Sequence, residues 1–197
     1  MPLNKESEKR TVEWRSFPTN FEIRGSSLDG GGKLRGHAAV FDKWTDLGYL
    51  KEKVAKGAFA TTIQEDDIRA LWNHDPNYIL GRNRAGTLFL EEDDKGLAID
   101  ITPPDTSYAK DLMVSIRRKD VTQMSFGFEI VKEDLNHERN ERIIQEVILW
   151  DVSPVTFPAY PETDIYVRKF LRVEPKRGSG MLLDLLRRRL FLRTRQG

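Results

Sequence analysis

His37, His74 and His137 are the only three histidines in a chain of 197 residues that has no cysteine. Acid–base chemistry near neutral pH therefore falls first to one of these imidazoles. His137 stands among charged neighbours in Asn136-His137-Glu138-Arg139, an exposed setting. His37, in Gly36-His37-Ala38-Ala39-Val40, is accounted for by a half-buried strand position. His74 follows an apolar strand in Trp72-Asn73-His74-Asp75-Pro76, where Pro76 is expected to turn the chain. A histidine at a strand end beside a turn is placed to serve a cleft, although on its own that position is better explained as structural.

Ser125 lies in Gln123-Met124-Ser125-Phe126-Gly127-Phe128. Alternation puts Met124, Phe126, Phe128 and Ile130 on a core face and Ser125 with Gly127 on the opposite, exposed one. The absent side chain of Gly127 leaves room beside the hydroxyl. A nucleophile needs such a rigid backing with space for an acyl group in front; without further context, a small residue on a solvent-facing or barrel-facing strand is the simpler explanation. Asp151 ends a strand in Leu149-Trp150-Asp151-Val152-Ser153. Its apolar neighbours mean that, if buried, the carboxylate needs a partner. A histidine would serve, and so would a turn N–H or an arginine. Metal chemistry has little to stand on: His74-Asp75 is a weak lead, Glu91 to Asp94 reads as a solvated turn, and there is no HExxH motif or calcium loop. The Gly30-Gly31-Gly32 run lacks the lysine and the helix pattern of a phosphate loop.

The elements that must position these residues are mostly strands. Residues 11–17, 21–24, 36–41, 68–72, 87–91 and 97–101 read as short strands bounded by turn residues, with a hairpin turn at Asp93-Asp94-Lys95-Gly96. A short helix is expected from 57 to 64. A longer one runs from 108 to 118 behind Thr106 as N-cap, with Tyr108, Leu112 and Ile116 on one face. Two long strands, 121–131 and 142–152, are joined by a polar loop from 133 to 141, and Pro154, Pro158 and Pro161 end regular structure. The expected class is α+β, with a mostly antiparallel sheet or barrel and few helices.

Composition agrees: 39% hydrophobic and 32% charged residues suit one folded domain with tails. No apolar run reaches the roughly 20 residues of a membrane span, and the charged segment 1–10, expected to be disordered, is no secretory signal. The lack of cysteine fits a reducing, cytoplasmic setting. The net charge of +1 conceals an asymmetry, because residues 168–197 carry 10 Lys and Arg against 2 Asp and Glu. Residues 174–180 are linker-like. Residues 181–192 could form a short basic amphipathic helix, with Leu182, Leu186 and Leu190 in one stripe.

One succession of motifs goes further. Gly36…Ala39-Val40-Phe41, Gly57-Ala58-Phe59, Asn73-His74-Asp75, Leu80-Gly81-Arg82, Gly86-Thr87-Leu88, Gly96-Leu97, Met124-Ser125-Phe126-Gly127-Phe128 and Val152-Ser153-Pro154-Val155-Thr156-Phe157-Pro158-Ala159-Tyr160-Pro161 follow one another in order. Together they resemble the prohead maturation proteases of tailed phages, over about residues 11 to 165. The resemblance implies a herpesvirus-assemblin-like fold, a small β-barrel with flanking helices, filling a protease domain at 11–170 before a basic tail at 171–197. It implies a serine endopeptidase, without cofactor or metal, that cleaves scaffold and capsid-protein segments, and often itself, inside the procapsid in the host cytoplasm. The major capsid protein with its scaffold segment would be the substrate, self-association is an open expectation, and neither nucleic acid nor membrane is required.

The same resemblance puts the family's serine on Ser125, its histidine on His74 and its third member on Asp151, one methylene shorter than the family's usual Glu. Triad logic then follows, with His74 as base for Ser125 and Asp151 holding the imidazole; Glu146 is the next candidate for the third place. The rival readings are a non-catalytic assembly module with the same fold and, more remotely, a metal-dependent hydrolase.

Overall fold

A computed structural model of the chain describes residues 11–25 and 32–157. The chain divides into two compact units, Met1–Pro161 and Glu162–Gly197, and every described residue lies in the first. The expectations for the N-terminal segment 1–10, the linker 174–180 and the basic helix 181–192 fall outside the described residues.

In chain order the elements are β1 (Glu13–Pro18), β2 (Glu22–Arg24), β3 (Lys33–Val40), β4 (Thr45–Asp46), β5 (Lys51–Val54), α1 (Thr62–Glu65), β6 (Arg69–Trp72) and β7 (Asp75–Arg82). A single 3-10 turn, Asn83–Ala85, leads to β8 (Leu88–Glu92), β9 (Gly96–Ile101), α2 (Ser107–Arg117), β10 (Gln123–Asn136) and β11 (Glu141–Val155). The body is mostly β with few helices, as an α+β reading requires. The strands form two sheets: four strands in the order β2-β3-β9-β8, and seven built on β1-β10-β11-β5-β4 with β6 joined to β11 and β7 to β6. Among the described residues they do not close into the expected barrel.

Alternation along β10 works as expected on one side. Met124, Phe126 and Phe128 have no exposed surface and pack with Phe59, whose ring meets Phe126 edge-on at 5.4 Å. Burial of this kind contributes about 2–3 kcal/mol per side chain and fixes the strand carrying Ser125 from behind. Helix α2 buries Ala109, Leu112, Met113 and Ile116 on its expected face. Helix α1 is shorter than expected, its first turns being irregular. The polar loop between the long strands shrinks to residues 137–140, because β10 and β11 stay paired from Gln123↔Val155 to Asn136↔Glu141. Nor does Pro154 end β11, which runs on to Val155.

Two features of the seven-stranded sheet matter for function. β6 lies parallel to β11 at Asp151↔Arg69 and Val152↔Ala70, so the turn after β6 is delivered to the C-terminal end of β11. β1 forms the outer edge beside β10 and is held there by ions as well as by its ladder. Arg15 Nε and Nη2 donate to the two oxygens of buried Glu52 at 2.5 and 3.0 Å, and Arg142 Nε donates to the same carboxylate at 2.6 Å. Burial disfavours the charge on Arg15, but its hydrogen bonds to Glu52 and Glu13 and the charges of both carboxylates together outweigh that and raise its pKa.

Candidate active site

Cross-strand pairs share a face, so the register of β1, β10 and β11 defines two transverse rows. One row is Ser16, Ser125 and Ser153; the next is Trp14, Gly127 and Asp151. Ser125 and Gly127 thus lie opposite the core face, as alternation predicts. The face is not open, however: Ser125 and Ser153 have no exposed surface and Asp151 is 9% exposed. The expectation that Ser125 stands on an exposed face is corrected here, since period two tells which residues share a face and not what covers it.

Glycine at position 127 is dictated by its row. A Cβ there would lie 2.5 Å from Asp151 Oδ2 and 3.0 Å from Trp14 Nε1. The Trp14 indole crosses this gap and meets the His74 ring edge-on, with centroids 6.2 Å apart. Next to Asp151 the ladder carries a bulge. Gly127 pairs with Asp151 but Phe128 with Leu149, leaving Trp150 as the extra residue, 47% exposed. The bulge keeps Leu149 in the core while leaving Asp151 on the serine face.

His74 reaches that face from a two-residue hairpin between β6 and β7. Trp72 pairs with Asp75, and the loop residues Asn73 and His74 have φ of 56° and 58°. Two successive positive φ values are the signature of a type I′ turn, in which asparagine is favoured. The turn therefore belongs to Asn73 and His74. Pro76, expected to turn the chain, lies instead inside β7, which pairs only with β6, so one missing edge N–H is tolerated. The hairpin tip is tied to the end of β11: Asn73 N donates to Pro154 O at 3.0 Å, and Thr156 N donates to Asn73 Oδ1 at 2.8 Å.

The shorter acid side chain does reach. His74 Nδ1 is 2.6 Å from Asp151 Oδ1, and Ser153 Oγ donates to the same oxygen at 2.6 Å. An Nδ1–H given to the carboxylate leaves the lone pair on His74 Nε2. Nε2 and Ser125 Oγ are both buried without a hydrogen-bond partner among the described residues. Leaving a buried polar atom unpaired costs about 1–3 kcal/mol, and two such atoms at one face call for a chemical reason. A lone pair on an oriented imidazole can accept a hydroxyl proton, and a carboxylate on the far nitrogen stabilises the cation that results.

The other candidates stand elsewhere. His37, half-buried on β3, bonds Asp93 Oδ2 through Nε2 at 2.8 Å, and His137 is exposed in the β10–β11 turn. Asp75 turns to Asn77, accepting from its backbone N–H at 2.9 Å, and Glu146 pairs in register with Lys132 further along β11. Among the described residues no group of three His, Asp or Glu side chains is arranged to hold a metal ion. Sequence reasoning assigned no part to Asn73, Ser153 or Trp14. The Asn-His pair between strand-like segments was the available signal for the turn. Trp14 offered none, because only the long-range pairing of β1 with β10 puts it over Gly127.

Hydroxyl, imidazole and carboxylate gathered on one face are the parts that serine proteases assemble on several unrelated folds. The chain belongs to the caudovirus prohead serine protease family, whose profile matches residues 19–175. Among solved structures it is similar to the capsid assembly protease of bacteriophage T4. That match has 12% sequence identity and a TM-score of 0.50, covering 77% of this chain and all of that one. No curated protein matches the chain.

Proposed function

We propose that the chain is a serine endopeptidase that matures phage procapsids, with Ser125 as nucleophile, His74 as general base and acid, and Asp151 as the group orienting His74. The observation that carries this reading is the bond from His74 Nδ1 to Asp151, on the sheet face that bears Ser125, with His74 Nε2 and the Ser125 hydroxyl both buried and unpaired. In the reaction His74 Nε2 takes the Ser125 proton while Oγ attacks the scissile carbonyl. The imidazolium then gives that proton to the leaving amine as the C–N bond breaks. Water, deprotonated by His74, attacks the acyl-enzyme and releases Ser125. Asp151 stays ionised throughout and stabilises the imidazolium. Because Ser125 has no exposed surface, the atoms above its hydroxyl must shift before a peptide carbonyl can reach it.

The substrates in this reading are scaffold and capsid-protein segments, and the chain itself, inside the assembling procapsid of the host cytoplasm. Membership of a prohead protease family and the fold shared with a capsid assembly protease support it. No helix among the described residues is long and apolar enough to cross a membrane. The test is co-expression of the full chain with the phage's major capsid protein, comparing product masses for the intact enzyme and Ser125→Ala. Cleaved capsid protein with the intact enzyme alone is the expected result; equal cleavage by both overturns the assignment.

A further inference from the structure

The site holds a fourth polar side chain that the triad chemistry leaves unassigned. Ser153 lies directly across the ladder from Ser125, and its hydroxyl turns along its own strand to Asp151 Oδ1, 2.6 Å away. It has no exposed surface, so it has no water to exchange with. The oxygen it binds is the one that His74 Nδ1 binds. Asp151 Oδ2 points the other way, toward the space a Gly127 side chain would fill.

We infer that Ser153 is a positioning residue: it fixes the rotation of the Asp151 carboxylate, and through it the orientation and tautomer of His74. The physical need is specific. The terminal torsion of an aspartate is broad and nearly two-fold, so one hydrogen bond does not define the plane of its carboxylate. His74 stands on a tight turn whose backbone is fixed by Asn73, so the imidazole cannot follow a wandering carboxylate by moving its chain. A second donor on the same oxygen, from a serine two residues along a rigid strand, removes that freedom. Charge-assisted bonds of this length are also stronger than neutral ones. Ser153 touches no reacting atom in this scheme, and its effect passes wholly through Asp151.

This inference rests on the proposed serine mechanism, and its test is chosen to separate the two. The full-length chain is treated with a fluorophosphonate, the labelled residue is located by peptide mass, and the maximal labelling rate and half-saturating concentration are measured. Labelling at Ser125 is expected for the wild type, and its absence would sink the protease reading itself. Ser153→Ala should lower the maximal rate about tenfold to a hundredfold with the half-saturating concentration unchanged. Ser153→Thr, which keeps a hydroxyl, should recover most of the rate. In an Asp151→Asn background the Ser153→Ala change should have less than a twofold effect, because the two residues act as one unit. The low-field proton resonance of the His74 Nδ1–H bond to Asp151 should broaden or move in Ser153→Ala. A wild type labelled at Ser125 beside a Ser153→Ala chain with unchanged rate and resonance overturns the positioning role alone. So does an equal loss from Ser153→Ala with and without Asp151.

Discussion

His74 and Asp151 are 77 residues apart in sequence, and a 2.6 Å hydrogen bond joins them. The parallel pairing of β6 with β11 makes that contact, by carrying the Asn73-His74 turn to the end of the strand that bears Asp151. If His74 is the base and Asp151 its orienting group, as proposed, the two act in series and their removal should cost different amounts. His74→Ala is expected to reduce the rate of substrate cleavage by about 10⁶, close to the effect of losing the nucleophile. Asp151→Asn should cost about 10⁴, since an imidazole in the wrong tautomer still occupies its place. Single-turnover rates with the capsid protein check both, and full activity in Asp151→Asn would move the third role to another residue.

Ser125→Ala should be inactive and at least as stable as the wild type. The usual expectation for a buried substitution is a loss. Here the hydroxyl removed is buried and unpaired, so its desolvation penalty of about 1–3 kcal/mol disappears with it. Thermal unfolding of the two proteins decides the matter. A melting temperature several degrees lower in the alanine variant would mean that the hydroxyl is satisfied in the folded protein.

Gly127→Ala tests the row of Trp14, Gly127 and Asp151. The new methyl would lie within 2.5 Å of Asp151 Oδ2, so the carboxylate, the indole or both must shift. Activity should fall by at least a hundredfold, because a misplacement of about 1 Å costs that much. The fold should survive with a loss of about 1–3 kcal/mol, the ordinary cost of overpacking. The check is parallel measurement of cleavage rate and denaturant midpoint, in which wild-type cleavage would show that the row has slack.

The motif succession singled out Ser125, His74 and Asp151, of which His74 and Asp151 are in contact, and the alternation of Met124, Phe126 and Phe128 made the core face of β10 legible. Other features depend on contacts between distant segments. β7 was missed because Pro76 and four successive exposed residues, Pro76 to Ile79, give it no alternation. The burial of Ser125 could not be read, since a period of two is blind to covering atoms. The bond from Ser153 to Asp151 joins residues two apart, which alternation puts on a common face, but alternation does not tell that the hydroxyl turns to the carboxylate. The strand pattern left sheet and barrel open and the resemblance pointed to a barrel, whereas the strands form two sheets.

Acid stability should depend on the turn between β8 and β9. Burial opposes ionisation of Asp93, but bonds from His37 and from the amides of Gly96 and Lys95 prevail and lower its pKa from 3.8 to about 2. A folded-state value below the unfolded one means stability that is present above about pH 4 and lost as pH falls toward 2. In Asp93→Asn that contribution is absent at every pH. The melting temperatures of wild type and variant should therefore differ most above pH 4 and converge near pH 2. A gap that stays constant across this range would show that the carboxylate's ionisation contributes nothing.

Asn73 should contribute to activity for a reason that a pair of substitutions can isolate. Its φ of 56° suits asparagine or glycine, while its side chain accepts from Thr156 N and so ties the His74 turn to the end of β11. Asn73→Gly keeps the backbone conformation without strain and loses only the tie. Asn73→Ala loses the tie and adds the cost of a left-handed residue, about 1 kcal/mol. If the tie is what holds His74 in place, both variants should lose activity to a similar degree, about ten- to a hundredfold, while only the alanine variant unfolds at a clearly lower denaturant concentration. Cleavage rates and unfolding midpoints for the two proteins separate the effects. A glycine variant with wild-type activity would show that the backbone turn alone positions His74 and that the contact with Thr156 is dispensable.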